Sequence, residues 1–289
     1  MKLKSFLKLV RCKAGSWYSA IPLAATIFTS HVRHIDLAIV PVFFTTFTCI
    51  SYGFVVNNIE DRYMDKSSPN PAKNPISIGE VSVMEARVVS STLFVSTLMT
   101  GLFLSPINTV LSMILLFLCH TYSAEPRVKT KPPLDLIWNM FIGAVPIAMG
   151  YLTYRQSDAA LCILFTIGLL LCAVAELINQ IVDYGSDTRY GIKTTATLIG
   201  RDNSVVLCIL LTVSAFMLVI PMYGLGEIHW VVCLCTLLGG FPIVTSMIDV
   251  LRTKSYERIE AVYKRGNLIG LIVLIVLILS EAHLRVTMA

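Results

Sequence analysis

The sequence predicts an all-α membrane protein, a single domain over residues 1–289 with nine transmembrane helices. Three observations lead there. The chain is 55% hydrophobic and only 14% charged, with a mean hydropathy of +0.74, so it has too few polar side chains to cover a soluble globule. Apolar stretches of about 20 residues recur, the length that crosses a hydrocarbon core of ~30 Å. Lipid offers backbone groups no partner, so such stretches must be helical. Basic residues also alternate in register with the stretches: 20 of the 23 fall on one side, leaving Arg33, Arg155 and Arg285 on the other.

The expected spans are 16–31, 36–57, 86–104, 106–122, 134–153, 159–181, 204–224, 229–250 and 263–281. Residues 1–15 mix Phe6, Leu7, Leu9 and Val10 with lysines and read as an amphipathic arm on the membrane surface, with no cleavage-site pattern. Pro22 and Pro41 fall within the first two spans, where prolines often mark bends. A polar, Pro-rich loop, 66–75, follows span 2, and spans 3 and 4 are joined by little more than Ser105-Pro106. A second basic loop, 122–133, precedes span 5, and Gly191 is expected to end the sixth helix. The positive-inside rule puts the N-terminus and these basic loops in the cytoplasm and the C-terminus on the opposite side. The net charge of +5 therefore needs no nucleic acid to explain it. The eight cysteines lie mostly inside spans and read as small apolar fillers.

Two acidic stretches break the apolar pattern. Asn57, Asp61 and Asp65 recur 122 residues later as Asn179, Asp183 and Asp187, each time at the end of an apolar run. On a helix the spacing i, i+4, i+8 puts all three oxygens on one face. The repeat suggests two four-helix halves plus a ninth helix. Several carboxylates gathered in one place cannot all stay ionised without cations. Magnesium prefers oxygen ligands and is commonly bound by one or two carboxylates plus substrate phosphate. Lys73, Arg127, Lys129, Arg189 and Lys193 are then available for phosphate oxygens. A ligand that is anionic at one end and hydrocarbon at the other fits this combination, and a prenyl diphosphate is such a ligand. The allylic cation formed on ionisation would be stabilised by aromatic faces such as Tyr52, Phe54, Tyr122 or Trp138. Glu60 lies off the motif face and is expected to be solvated; Glu176 either supports the second motif or pairs across helices.

Taken together, Asn57-x3-Asp61-x3-Asp65, Asp183-x3-Asp187 with Gly191 and Thr194-Thr195, and Tyr122-Ser123 with its basic cluster resemble the UbiA superfamily of intramembrane prenyltransferases. The resemblance covers nearly the whole chain. It implies helices around a central cavity open to lipid and two magnesium ions, held by Asn57, Asp61, Asp65, Asp183 and Asp187, with Asn179 completing the repeat. Asp61, Asp65, Asp183 and Asp187 would be catalytic, and Lys73, Arg127, Lys129, Arg189, Lys193 and Tyr122 would bind diphosphate. Asn58 stands where many members carry Asp, and Glu125 where related chains often carry a neutral residue. The implied activity is transfer of an isoprenoid chain to a lipophilic acceptor: an aromatic or quinone precursor, a lipid or a carotenoid. The stretch Gly191–Gly200 resembles the carotenoid-elongating branch. A terpene cyclase on the same scaffold and a secondary transporter coupling ions through the acids are the competing readings.

Overall fold

The structure, a computed structural model, describes residues 1–29, 37–66, 71–262, 264–266 and 268. Every regular element among them is helical. The chain forms two compact units: Met1–Thr26, His34–Lys129 and Val145–Arg155 make the first, and Ile27–Arg33, Thr130–Ala144 and Gln156–Ala289 the second. The border therefore does not fall cleanly after a fourth span, since residues of one helix, α7 (Leu134–Tyr151), are divided between the units.

In the first unit, α1 (Leu3–Leu9) and α2 (Cys12–Thr29) precede α3 (Ile39–Glu60) and the short α4 (Arg62–Lys66). The arm is packed as well as amphipathic. Leu9 and Val10 are buried with Val55, Ile59, Ile76, Val81 and Ala86, whereas Leu3 and Leu7 are exposed. Pro41 sits in the first turn of α3, where a missing N–H breaks no helical bond, so it marks a helix start and not a bend. Helix α5 (Val83–Gly101) begins with a capping box in which Ser82 and Glu85 satisfy each other's backbone N–H. Helix α6 (Pro106–Ser123) begins with Ser105 as cap and Pro106 in the first position, and the Thr109 hydroxyl donates to the Gly101 carbonyl at 2.8 Å, which closes the expected tight hairpin. Hydroxyls join α3 to α5: Thr45 donates to Thr100 at 2.8 Å, and Thr97 to Thr48 at 2.9 Å. Such bonds hold helices together where lipid removes the hydrophobic drive for association. At Gly150 an added Cβ would lie 2.2 Å from the Pro22 carbonyl oxygen, so only glycine permits that approach.

The second unit is built on α8 (Ala159–Tyr190), 32 residues from the Asp158 cap to a left-handed Gly191 at φ +67°. The expected helix stop is there, but the helix runs nine residues past the expected span end at 181. Then come α9 (Thr195–Ile199), α10 (Arg201–Met217), α11 (Val219–Gly224) and α12 (Trp230–Thr253). One expected span, 204–224, is interrupted at Leu218 because Pro221 cannot donate to, and crowds, the carbonyl four residues back. The core gathers Leu177, Ile178 and Ile181 of α8, Val205 and Cys208 of α10, and Met247 and Val250 of α12.

Six described helices are long and apolar enough to cross a membrane: Ile39–Glu60, Pro106–Ser123, Leu134–Tyr151, Ala159–Tyr190, Arg201–Gly224 and Trp230–Thr253. Helix α5 carries Glu85 and Arg87 in its first turns. Most of the expected ninth span, 263–281, lies outside the described residues, so the structure does not establish a count of nine. Exposed Phe94, Phe103, Phe117 and Phe241 give the helices the apolar exterior that lipid requires. All eight cysteines are free.

Candidate functional site

The first acidic motif sits where α3 runs out. Asp61 has φ −90° and ψ 0° and closes α3, while Asp65 belongs to α4. The expected unbroken helix is thus interrupted. The i, i+4, i+8 spacing survives in the backbone, since the Asp61 N–H donates to the Asn57 carbonyl at 2.9 Å and the Asp65 N–H to the Asp61 carbonyl at 2.8 Å.

Around Asp61 the expected partners converge. Its Oδ1 accepts from Arg127 Nη2 at 2.7 Å, and its Oδ2 accepts from Lys129 Nζ and, at 2.9 Å, from Asn57 Nδ2. Asn57 Nδ2 also donates to Ser123 Oγ at 3.1 Å, beside Tyr122 at the end of α6. Both cations come from the segment after α6, with Arg127 in a left-handed conformation at φ 55° and Lys129 in a 3-10 turn. Burial pulls the Lys129 ammonium below the ordinary lysine range, and the Asp61 charge opposes that shift. Lys73, also expected near the motif, is exposed at the end of its own 3-10 turn.

Asp65 is fixed by a residue that pattern reading passes over. Asn74, 1% exposed, donates from Nδ2 to Asp65 Oδ2 and to the Asn58 carbonyl, both at 2.8 Å, and accepts the Ile76 N–H at 3.0 Å. Asn58 is fully buried: its Nδ2 donates to the Leu9 carbonyl at 2.9 Å and its Oδ1 accepts from Arg11 at 3.5 Å. Arg11 was expected only as part of the basic arm. It lies over the Phe54 ring, 5.0 Å from the centroid, lowered by burial but supported by the charges of Asp65 and Asp61. Of the other aromatic candidates, Tyr52 is buried with its hydroxyl 2.7 Å from His120 Nδ1.

The second motif lies on an unbroken helix. Asn179 and Asp183 are exposed and Asp187 is half-buried, while Arg189 and Lys193, on either side of Gly191, are exposed. The segment that follows is anchored by a carboxylate absent from the sequence reading. Asp135 is fully buried; it accepts the Thr195 N–H and hydroxyl, each at 2.6 Å, and Gln180 Nε2 at 3.0 Å. Gln180 Oε1 in turn accepts the Ala196 N–H at 2.9 Å. Glu176 pairs across helices, accepting from Asn139 at 3.0 Å as well as from Gln180 at 3.3 Å. Glu60 is exposed, as expected.

These donor sets suit magnesium. Among the described residues no three His, Cys, Asp or Glu side chains converge on one point. Instead each motif offers two carboxylates and a carboxamide in series, and the Asn57 amide nitrogen is turned to Asp61 and Ser123, leaving its oxygen as a free donor. Magnesium takes such partial sets because it keeps waters and shares substrate phosphate.

Comparison with known proteins agrees with the fold and with the family resemblance. The model of the UbiA prenyltransferase family matches residues 19–269. A 4-hydroxybenzoate octaprenyltransferase of Vibrio campbellii is 26% identical over 232 residues, 80% of either chain. One from an Enterobacter species is 29% identical over 229 residues, 79% of this chain and 78% of the relative. Among solved structures, a digeranylgeranylglyceryl phosphate synthase superposes with a TM-score of 0.77 at 22% identity, covering 96% of this chain and 98% of that one. A UbiA homologue from Archaeoglobus fulgidus bound to GPP and Mg2+ superposes with a TM-score of 0.73 at 17% identity, covering 92% and 99%. The chain belongs to the UbiA prenyltransferase family, an integral membrane protein and a prenyltransferase.

Proposed function

We propose that the protein is a magnesium-dependent prenyltransferase that moves an isoprenoid chain from a prenyl diphosphate to a lipophilic acceptor. The observation that carries this reading is the Asp61 cluster: a carboxylate, a carboxamide and two cations within one hydrogen-bonded shell at the end of an apolar helix. Asn57, Asp61 and Asp65, with Asn179, Asp183 and Asp187, are assigned as oxygen donors for two magnesium ions. Magnesium, when bound, neutralises charge growing on the departing diphosphate and so eases C–O cleavage.

The chain's own groups do the rest. Arg127 and Lys129 donate to diphosphate oxygens, with Lys73, Arg189, Lys193 and Tyr122 completing the anion shell. Asn57 and Asn74 hold Asp61 and Asp65 in place. When the C–O bond breaks, the electron pair leaves with the diphosphate. The allylic carbon is then attacked by a nucleophilic atom of the acceptor, which loses a proton. The N-terminus and the basic loops are placed in the cytoplasm and the C-terminus on the opposite side, following the distribution of Lys and Arg.

The relatives' names make an aromatic acid the first acceptor to test, and the GPP-bound homologue makes geranyl diphosphate the first donor. Purified protein in detergent, given geranyl diphosphate, 4-hydroxybenzoate and magnesium, is expected to yield a prenylated aromatic acid by mass spectrometry, and other acceptors are tried in turn. A cyclic hydrocarbon or terpene alcohol formed without acceptor would instead establish a cyclase. Diphosphate release that survives in both Asp61→Ala and Asp183→Ala would overturn the assignment of the motifs.

A further inference from the structure

Arg201 lies outside both acidic motifs, and the sequence alone gives it only a topological role. In the second unit its guanidinium is flanked by two phenol rings, with Cζ 4.8 Å from the centroid of Tyr184 and 5.2 Å from that of Tyr256. Aromatic faces stabilise the charge but accept none of the N–H bonds, which point outward in the guanidinium plane. No described residue accepts a hydrogen bond from Arg201 or pairs with it, and its Nε is buried without an acceptor. Native structures rarely leave such a donor unmade. The neighbouring carboxylate is engaged elsewhere: Asp202 accepts from Lys254 Nζ at 2.5 Å and from the Tyr256 hydroxyl.

The arginine lines a cavity of about 360 Å³ together with Tyr184, Gly200, Asp202, Asn203 and Tyr256. On the α8 side Gly185 adjoins the guanidinium, and a Cβ there would make ordinary contact with Arg201 Nη2 at 3.6 Å. The first turn of α10 borders the same cavity, and its cap, Gly200, contributes no side-chain acceptor.

We propose that Arg201 anchors a phosphate-binding site at the adjoining ends of α8 and α10, built on side chains other than the motif carboxylates and carboxamides. A phosphate group meets each requirement. Its oxygens match the planar fork of a guanidinium, and the uncapped backbone N–H groups of α10 favour an anion. Asp202, the carboxylate among the lining residues, is paired with Lys254. The same chemistry arrives on an anionic phospholipid headgroup or as free phosphate. The site does not depend on the transferase reading above.

Thermal unfolding of the full-length protein in detergent, titrated separately with phosphatidylglycerol and with inorganic phosphate, tests the site. The wild type is expected to gain stability with one or both probes, and Arg201→Gln to lose that gain. Should Arg201→Gln fail to fold, Arg201→Lys carries the test. It keeps the charge but not the fork, and roughly tenfold weaker binding is expected from the loss of one charge-assisted bond. The part of the gain that Arg201→Gln removes should persist in Arg127→Ala, which separates this site from the cations beside Asp61. A response to lipid alone identifies a headgroup, and a response to inorganic phosphate a free anion. Equal shifts in the wild type and the Arg201 variants, or no shift with either probe, would overturn the proposal.

Discussion

Asp61 and Asp65 occupy equivalent letters of one motif, yet different chemistry holds them. Asp61 is oriented by Arg127, Lys129 and Asn57, Asp65 by the amide of Asn74. Arg127→Ala is therefore expected to raise the KM for prenyl diphosphate about tenfold, the loss of roughly one charge-assisted bond, while the fold is retained. Initial rates against donor concentration measure it. Asn74→Ala acts differently, because it releases Asp65 and strips a partner from the buried Asn58 carbonyl. A stability loss of about 1–3 kcal/mol together with a lower kcat is expected; a thermal melt beside an activity assay separates the two. The spacing of the motif residues was legible in the sequence, because a 3.6-residue period brings positions four apart to one helical face. Asn74, Asp135 and Arg11 were not, since their importance comes from bonds to backbone or to distant side chains that exist only once loops have closed.

Among the elements, α8 was almost fully legible: an apolar run, an acidic cap and a terminal glycine fix it from both ends. Hydropathy alone ends the span at 181, but the helical spacing of the second motif and Gly191 carry the expected helix on to the end that the structure shows. Gly191 adopts φ +67°, so Gly191→Val should cost about 1 kcal/mol or more, and Gly191→Asn less. The short α9 owes its position to Asp135, which accepts three hydrogen bonds. Asp135→Ala would leave the Thr195 N–H and hydroxyl unpaired, and a loss of roughly 2–4 kcal/mol is expected. Asp135→Asn should be milder, since one oxygen still accepts. Chemical denaturation of the three proteins ranks them.

For the molecule as a whole, the exposed phenylalanines and the six long apolar helices make lipid the solvent. Chelating divalent ions should abolish turnover, and added magnesium should restore it. Protease protection in sealed vesicles, with a tag at either terminus, checks the proposed orientation; tags cleaved from the same side would refute it. The class of fold was readable because composition and charge distribution are properties of the entire chain. The repeat suggested two halves, but the border between the two units was not readable, because it depends on how one helix shares its residues between them.

The Leu9 carbonyl, Asn58, Asn74 and Asp65 are joined by successive hydrogen bonds, each donated by an asparagine side-chain amide. That relay works as a tether: whatever pulls on the arm at the membrane surface tugs at a motif carboxylate through three short links. Deleting residues 1–11 removes buried Leu9 and Val10 together with this relay, and should therefore lower turnover and the melting temperature together.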